Sequence, residues 1–335
     1  MAKTLSTLQS LIDQAKSLPA VRVAVCAAAQ KVVLETLRQA LDIGIVRPIL
    51  IGKAEAIREL AASTGLKTDD YDLVEADGDT AAANAGVKMV RDGSADVLMK
   101  GLIHTDIFMR AILDSEHGLR VPGQRVSHAF LCEVPLHEGL LVITDAAINI
   151  SPDLNAKAQI LQNAISLLHW LGVEQPKVAV LSAVETVNPA IASTLDAACL
   201  TLMALRGQIT GALVDGPLAF DNAVSRSAAD EKGITSSVAG GCDILLVPDL
   251  VSGNILAKTL EYLANAIAAG IVLGLNAPVV LSSRSDPAPA RLAALALAVL
   301  IHHRLPKVQK PKVRPLEASL GPVPQAESAC CPLPG

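Results

Sequence analysis

Aromatic side chains are nearly missing from this chain of 335 residues: three Phe, two Tyr and one Trp, 2% in all. Single-stranded nucleic acid is held by stacking on such rings, and a phosphate backbone attracts a basic face. With a net charge of −5 the chain offers neither, so nucleic acid is not an expected partner. Glycine-rich phosphate loops are also missing: no GxGxxG follows a strand and no GxxxxGK[ST] occurs, so dinucleotide and nucleoside triphosphate chemistry lacks its usual anchor. The six cysteines (Cys26, Cys132, Cys199, Cys242, Cys330, Cys331) form no CxxC, and four of them sit inside apolar runs. They read as reduced thiols of a cytoplasmic protein. Histidines and carboxylates are scattered, so no metal is expected.

Long apolar runs are absent too. Residues 263–281 are interrupted by Asn265, Asn276 and Pro278, and residues 292–301 are too few to span a bilayer, so no membrane segment is expected. The opening MAKTLSTLQSLIDQAKSLP has helical apolar spacing without an unbroken hydrophobic stretch, which predicts a short amphipathic helix rather than a leader.

What the chain has is apolar content, 51% of its residues, enough to fill sizeable cores. Its pattern alternates. Strands are predicted at 21–26, 48–51, 96–99, 177–182, 211–214, 243–247 and 279–281. Helices at 30–41, 53–63, 79–91, 103–113, 153–171, 189–205, 220–232, 255–269 and 287–302 fall between them, with Thr105 or Asp106 as plausible caps for the fourth. Such alternation predicts a mostly parallel sheet covered on both faces, in two α/β halves with a cleft between them. One pair differs: 125–134 and 139–144 follow each other through a short turn and read as a hairpin. Residues 306–335 hold seven of the 19 prolines and no apolar period, which predicts a disordered, solvated tail despite Lys307, Lys310, Lys312 and Arg314.

Residues 215–258 organise the rest. Val214 leads into Asp215, Gly216 and Pro217, and the apolar run 242–247 leads into Pro248, Asp249, Ser252, Gly253 and Asn254 before a helical pattern begins. Loops at the carboxyl ends of parallel strands are where open α/β sheets bind ligands. Lys100 and Gly101 form a similar strand end before a helix N-terminus, a geometry that favours an anion. His104, Ser127 and His128 could line the same cleft, and Ser283 with Arg284 directly follow the last strand, where a planar guanidinium suits phosphate.

These segments resemble the phosphate acetyltransferase and phosphate butyryltransferase family. The resemblance rests on DGPLAFDNAVS at 215–225, VAGGCDILLVPDL at 238–250 and SGNILAK at 252–258. ADVLMKG at 95–101, TDAAINISPD at 144–153, KVAVLSAVETVNP at 177–189 and LSSR at 281–284 follow the same order, so that it covers roughly residues 20–303. It implies two three-layer α/β/α domains with a cleft between them, like isocitrate and isopropylmalate dehydrogenase. The first would hold residues 1–147 and 278–305, the second residues 148–277.

It also implies a homodimeric acyltransferase that moves a short acyl group, acetyl or butyryl, between coenzyme A and phosphate by direct attack of the thiol on acyl phosphate. Coenzyme A is then a substrate and no cofactor is required. The resemblance makes Ser283 and Arg284 catalytic, the arginine holding phosphate and the serine assisting at the carbonyl. Arg110 matches a family arginine across a one-residue gap, and Asp215, Gly216, Asp249, Gly253, Asn254 and Lys258 shape the cleft or orient coenzyme A. Acetyltransferase relatives place an aspartate seven residues after the serine, where this chain has Ala290. Asp286 is the nearest carboxylate and becomes the candidate thiol base, or a helix cap. The LSSRSD ending is closer to the butyryltransferase branch, which implies a chain longer than acetyl. Three other readings stay open: an acyl-carrier-protein-linked phosphate acyltransferase, a dehydrogenase on the same fold, and a non-catalytic ligand-binding protein, for which Ala290 speaks.

Overall fold

A computed structural model describes residues 6–283 and 286–305. Arg284, and the tail predicted to be disordered at 306–335, lie outside the described residues.

Eleven strands form one sheet. In chain order they are β1 (Val21–Cys26), β2 (Val46–Gly52), β3 (Asp72–Glu75), β4 (Val97–Lys100), β5 (Ser127–Glu133) and β6 (Leu140–Thr144). Then come β7 (Lys177–Leu181), β8 (Leu213–Leu218), β9 (Ile244–Leu246), β10 (Ile267–Leu273) and β11 (Val279–Val280). Across the sheet they stand β3-β2-β1-β4-β11-β10-β5-β6-β9-β7-β8. The first five pair in parallel, the last four pair in parallel, and β10 and β5 join the two blocks through antiparallel pairings. The expected hairpin is β5 with β6. β10 falls inside residues 148–277 yet pairs with β11, so the sheet runs unbroken across the expected domain division.

The helices are α1 (Leu8–Ala15), α2 (Lys31–Asp42), α3 (Ala54–Thr64), α4 (Asp79–Arg91), α5 (Thr105–Leu113) and α6 (Leu154–Trp170). They continue with α7 (Ala192–Leu205), α8 (Phe220–Val224), α9 (Arg226–Glu231), α10 (Leu250–Leu263) and α11 (Ala288–Arg304).

Where the sheet buries its faces decides where the site can be. One face is covered by a continuous core in which Val25, Met99, Leu131, Val142, Val180 and Ile271 pack under α1, α2, α6 and α11. On the other face the core is split. Leu98, Val272, Val279 and Leu281 pack with Phe108 and Met109 of α5, while Phe130, Cys132, Ile143, Leu245 and Ala268 pack with Ala257 of α10. Successive strand residues point to opposite faces. His128 and Gly270 therefore share this second face with Phe130 and Ala268, and neither extends either apolar cluster. Between the two clusters the sheet carries an imidazole and a missing side chain.

Four local expectations change. The helix predicted at 255–269 ends at Leu263, and Ile267–Leu273 is strand β10. A central strand buried on both faces is continuously apolar and cannot be told from a buried helix by period alone. The break between them is Asn265, whose φ of +53° is a left-handed value asparagine tolerates. Asp215 and Gly216 lie inside β8 rather than in a turn after it. The helix predicted at 220–232 is two short helices meeting at Ser225, which has extended backbone and caps α9 by accepting from the Ala228 N–H. The edge strand β3 has too little apolar pattern to be read from DLVE. No helix among the described residues is long and apolar enough to cross a membrane.

Candidate active site

β11 ends beside β4, with Val280 opposite Met99, so Lys100 and the segment 281–283 leave the sheet at the same edge. The segment then turns through Asp286 into α11. This turn is tightly organised. The Ser283 N–H donates to Asp286 Oδ2 at 2.7 Å, and the Ser283 carbonyl accepts from Arg291 Nη2 at 2.7 Å. Arg291 Nη1 donates to Ser282 Oγ at 3.0 Å, and its Nε donates to the Asp286 carbonyl at 3.1 Å. A planar guanidinium offers five donors in a fixed fork, and here three of its nitrogens engage acceptors on Ser282, Ser283 and Asp286. Arg291 is 1% exposed. Burial pushes its pKa down while Asp286 pushes it up.

Asp286 is buried, and burial pushes its carboxyl above the usual carboxylate range, against the lowering effects of the Ser283 N–H, Lys258 and Arg291. Lys258 on α10 brings Nζ within 3.9 Å of Asp286 Oδ1 and also pairs with Glu261 one turn on. A carboxyl whose pKa burial raises, beside a lysine and at the end of a sheet strand, is the pattern of a group that trades protons.

α10 is aimed by its own N-terminus. Asp249 caps it, accepting from the Ser252 N–H at 2.8 Å. Gly253 lets it press onto the turn after β6: a Cβ there would stand 2.6 Å from Val247 Cγ2 and 3.0 Å from the Asp145 carbonyl. Asn254 Nδ2 donates to the Ala146 carbonyl at 3.3 Å. Asp145 in turn holds that turn together, accepting from the N–H groups of His128, Ala147 and Ile148 and from Asn149 Nδ2. Thus Ser283, Asp286, Lys258, Asp249, Gly253 and Asn254 belong to one connected assembly.

His128 lies under it. A Cβ on Gly270 would stand 2.6 Å from the Leu281 carbonyl and 3.0 Å from His128 Nε2, so the missing side chain makes room for both. The imidazole is fully buried, and burial pushes its pKa down to about 4 against the raising effects of Asp145 and the Leu281 backbone.

Other sequence candidates are placed elsewhere. Ser127 points to the opposite face, where its Oγ accepts from Asn163 of α6 at 2.9 Å. Alternation along β5 imposes this, because Ser127 and His128 are neighbours. Asp215 and Gly216 sit in the edge strand β8, where Asp215 accepts from the Gly216 N–H and a Cβ on Gly216 would stand 2.8 Å from the Val180 carbonyl. Gly101 is required by close approach, since a Cβ would stand 2.4 Å from the Ala27 carbonyl. His104, not Thr105 or Asp106, is the N-cap of α5 and is exposed. Arg110 is exposed and lines a cavity of about 440 Å³ with Lys88 and Arg91 of α4 and His117. That cavity shares no wall residue with the one of about 260 Å³ beside Asp286.

Arg291, Glu261 and Asp145 were missed from sequence. Arg291 sits in a helical apolar run where an arginine reads as a surface residue, and only its charge among alanines and leucines signals a special role.

A serine, a carboxylate and a lysine brought together beside the strand ends of an open α/β sheet stand where enzymes of the α/β group-transfer class bind their substrates. The family model described as phosphate acetyl/butaryl transferase matches residues 79–299. Phosphate acetyltransferase of Rickettsia felis is 48% identical over 266 residues, 79% of this chain and 76% of that protein. Phosphate butyryltransferase of Clostridium acetobutylicum is 41% identical over 297 residues, 89% and 98% of the two chains. The crystal structure of a branched-chain phosphotransacylase from Enterococcus faecalis V583 superimposes with a TM-score of 0.74 at 30% identity, covering 85% of this chain and 99% of that one. The chain belongs to the phosphate acetyl/butyryl transferase family, and is an enzyme of acyl transfer between coenzyme A and phosphate.

Proposed function

We propose that the chain transfers a short acyl group between phosphate and coenzyme A by direct attack of the thiol on acyl phosphate, at the segment 283–286. In that direction the sulfur–carbon bond forms, the bond from carbonyl carbon to phosphate oxygen breaks, and inorganic phosphate leaves. The thiol proton goes to Asp286. Arg284 holds the phosphate, and the Ser283 hydroxyl donates to the carbonyl oxygen as negative charge grows on it. Lys258 and Lys100 supply cationic charge at this segment, Arg110 supplies it in its own separate cavity for a phosphate group of coenzyme A, and no cofactor takes part.

The observation that carries this reading is the 2.7 Å bond from the Ser283 N–H to a carboxylate whose pKa burial has raised. It joins an oxyanion donor and a base candidate in one turn, although the position expected for the base is Ala290. Two finer points belong to the same proposal. Leu195, Leu202 and Leu205 on α7 and Val251 and Ile255 on α10 are exposed apolar side chains that a second copy would cover in a homodimer. The free thiols of Cys26, Cys132, Cys199 and Cys242 suit the cytoplasm.

The test is arsenate-dependent breakdown of acetyl-CoA and butyryl-CoA by pure protein without added metal. Thiol release with at least one is expected. No release with either would overturn the proposal.

A further inference from the structure

We infer that the cavity of about 260 Å³ beside Asp286 is the subsite for the acyl chain, shaped for about four to six carbons, straight or branched, rather than for acetyl alone. The inference rests on the reaction being sited at Ser283 and Asp286.

Position comes first. Asp286 is both a wall of this cavity and the partner of the Ser283 N–H. An acyl group held at Ser283 is thus one hydrogen-bonded neighbour away from the space where Asp286 and Pro287 lead into α11. The lining is mainly apolar. Apart from Asp286 and Glu261 the described walls are Tyr262, Ala266, Ile267, Ala268, Pro287 and Ala290, which offer mainly apolar surface and no side-chain amide, amine or guanidinium. Glu261 is already paired with Lys258. Among the described residues no wall of the cavity carries a cation for a phosphate or a nucleotide, whereas a hydrocarbon chain there loses its contact with water.

An apolar cavity of about 150 Å³ accepts benzene, and pockets for drug-sized ligands run from about 300 Å³ upward. At about 260 Å³ this one is too large to be filled by a single methyl group and too small for the adenosine end of coenzyme A. The space exists because three of its walls are alanines. Ala290 is buried and helical, so nothing in its backbone conformation forbids a longer side chain there. At the position where acetyltransferase relatives are expected to carry a carboxylate, this chain leaves room and an apolar wall.

The experiment compares kcat/KM for acetyl-, butyryl-, isobutyryl- and hexanoyl-CoA in wild type, Ala290→Leu and Ile267→Ala, using the full chain. A pocket that fits a hydrocarbon chain discriminates by about tenfold or more per methylene group, so wild type is expected to favour butyryl over acetyl by at least tenfold. Ala290→Leu should lower the butyryl-to-acetyl ratio at least tenfold, and Ile267→Ala should move the optimum toward hexanoyl. If Ala290→Leu does not fold, as judged by its thermal midpoint, Ile267→Ala decides alone. A wild type that prefers acetyl, or variants that slow every acyl-CoA equally, would overturn the subsite while leaving the acyl transfer intact. Equal slowing with raised KM would instead assign the cavity to the pantetheine arm. A wild type that turns over none of the four would remove the siting at Ser283 and this inference with it.

Discussion

Arg291 Nη2 donates a 2.7 Å hydrogen bond to the carbonyl of Ser283, eight residues earlier in the chain, and the same guanidinium also binds Ser282 Oγ and the Asp286 carbonyl. Arg291 thereby holds both ends of the loop that carries the proposed oxyanion donor and base. A buried cation near a helix N-terminus is electrostatically unfavourable, so the loop acceptors must compensate for it. Arg291→Met should leave those acceptors unsatisfied and lower stability by about 2 to 4 kcal/mol in urea unfolding. In the variant that still folds, kcat should fall by about 10- to 100-fold with little change in KM, since a loosened loop misplaces reacting groups. Arg291→Lys should recover only part of this, because an ammonium cannot meet three acceptors in one plane. Full recovery by lysine would show that charge alone matters.

Asp286→Asn separates chemistry from stability. Burial raises the folded carboxyl pKa, so its ionisation opposes folding: the stability it lends is present at low pH and lost as pH rises through that raised value. The asparagine variant should be at least as stable as wild type at pH 7. Its turnover should fall by about 10²- to 10⁴-fold, and the acidic limb of kcat/KM, which in wild type rises with pH through the Asp286 pKa, should vanish. A variant with wild-type turnover and an intact acidic limb would remove Asp286 as the base.

Arg284→Lys tests the proposed phosphate grip. Loss of one paired, charge-assisted contact should reduce kcat/KM for phosphate by roughly 30- to 1000-fold, about 2 to 4 kcal/mol, with the thermal midpoint nearly unchanged. A surface ion pair would give the reverse, less than about 1 kcal/mol of stability and no kinetic change.

His128 makes acid stability measurable at one residue. Its folded pKa is pushed down to about 4, below the 6.5 of an unfolded histidine, so the unfolded chain takes up the proton first. Stability from this group is full above pH 6.5 and is lost as pH falls toward 4, by up to roughly 3 kcal/mol. His128→Leu should flatten the stability profile in that window. Identical profiles for the two proteins between pH 6.5 and 4 would contradict the burial argument.

Gly253→Ala probes the contact that seats α10. Its Cβ would stand 2.6 Å from Val247 Cγ2, so the helix must shift, at about 1 to 3 kcal/mol of stability. Because Lys258 rides on the same helix, KM for phosphate or coenzyme A should rise as well. Unchanged kinetics would uncouple the seating of α10 from the site.

Much of the fold was written locally. Apolar runs such as those of β1 and β6 are buried along nearly their whole length, and the turn residues between them gave the α/β alternation and the β5–β6 hairpin. Ser283, Asp249 and Gly253 could be named because strand ends and helix starts carry short-range signatures, whereas Asp286 could be named only as the carboxylate nearest Ser283 in a family resemblance that places Ala290 at the expected position. β10 could not, because a strand buried on both faces has no period of its own and borrows its identity from the neighbours it pairs with.

The site shows the same division. Sequence by itself determined which residue types stand at the strand ends, and that Ala290 leaves no carboxylate where one was expected. Only the tertiary structure decided that Ser127 faces away while His128 faces the gap, that Arg110 and Asp286 border separate cavities, and that Arg291 folds back over the loop. The physical reason is that direction and burial are collective properties. A side chain's face follows from the register of its strand, and its pKa and partners follow from which distant helix covers it. Neither is encoded within a few residues of the side chain itself.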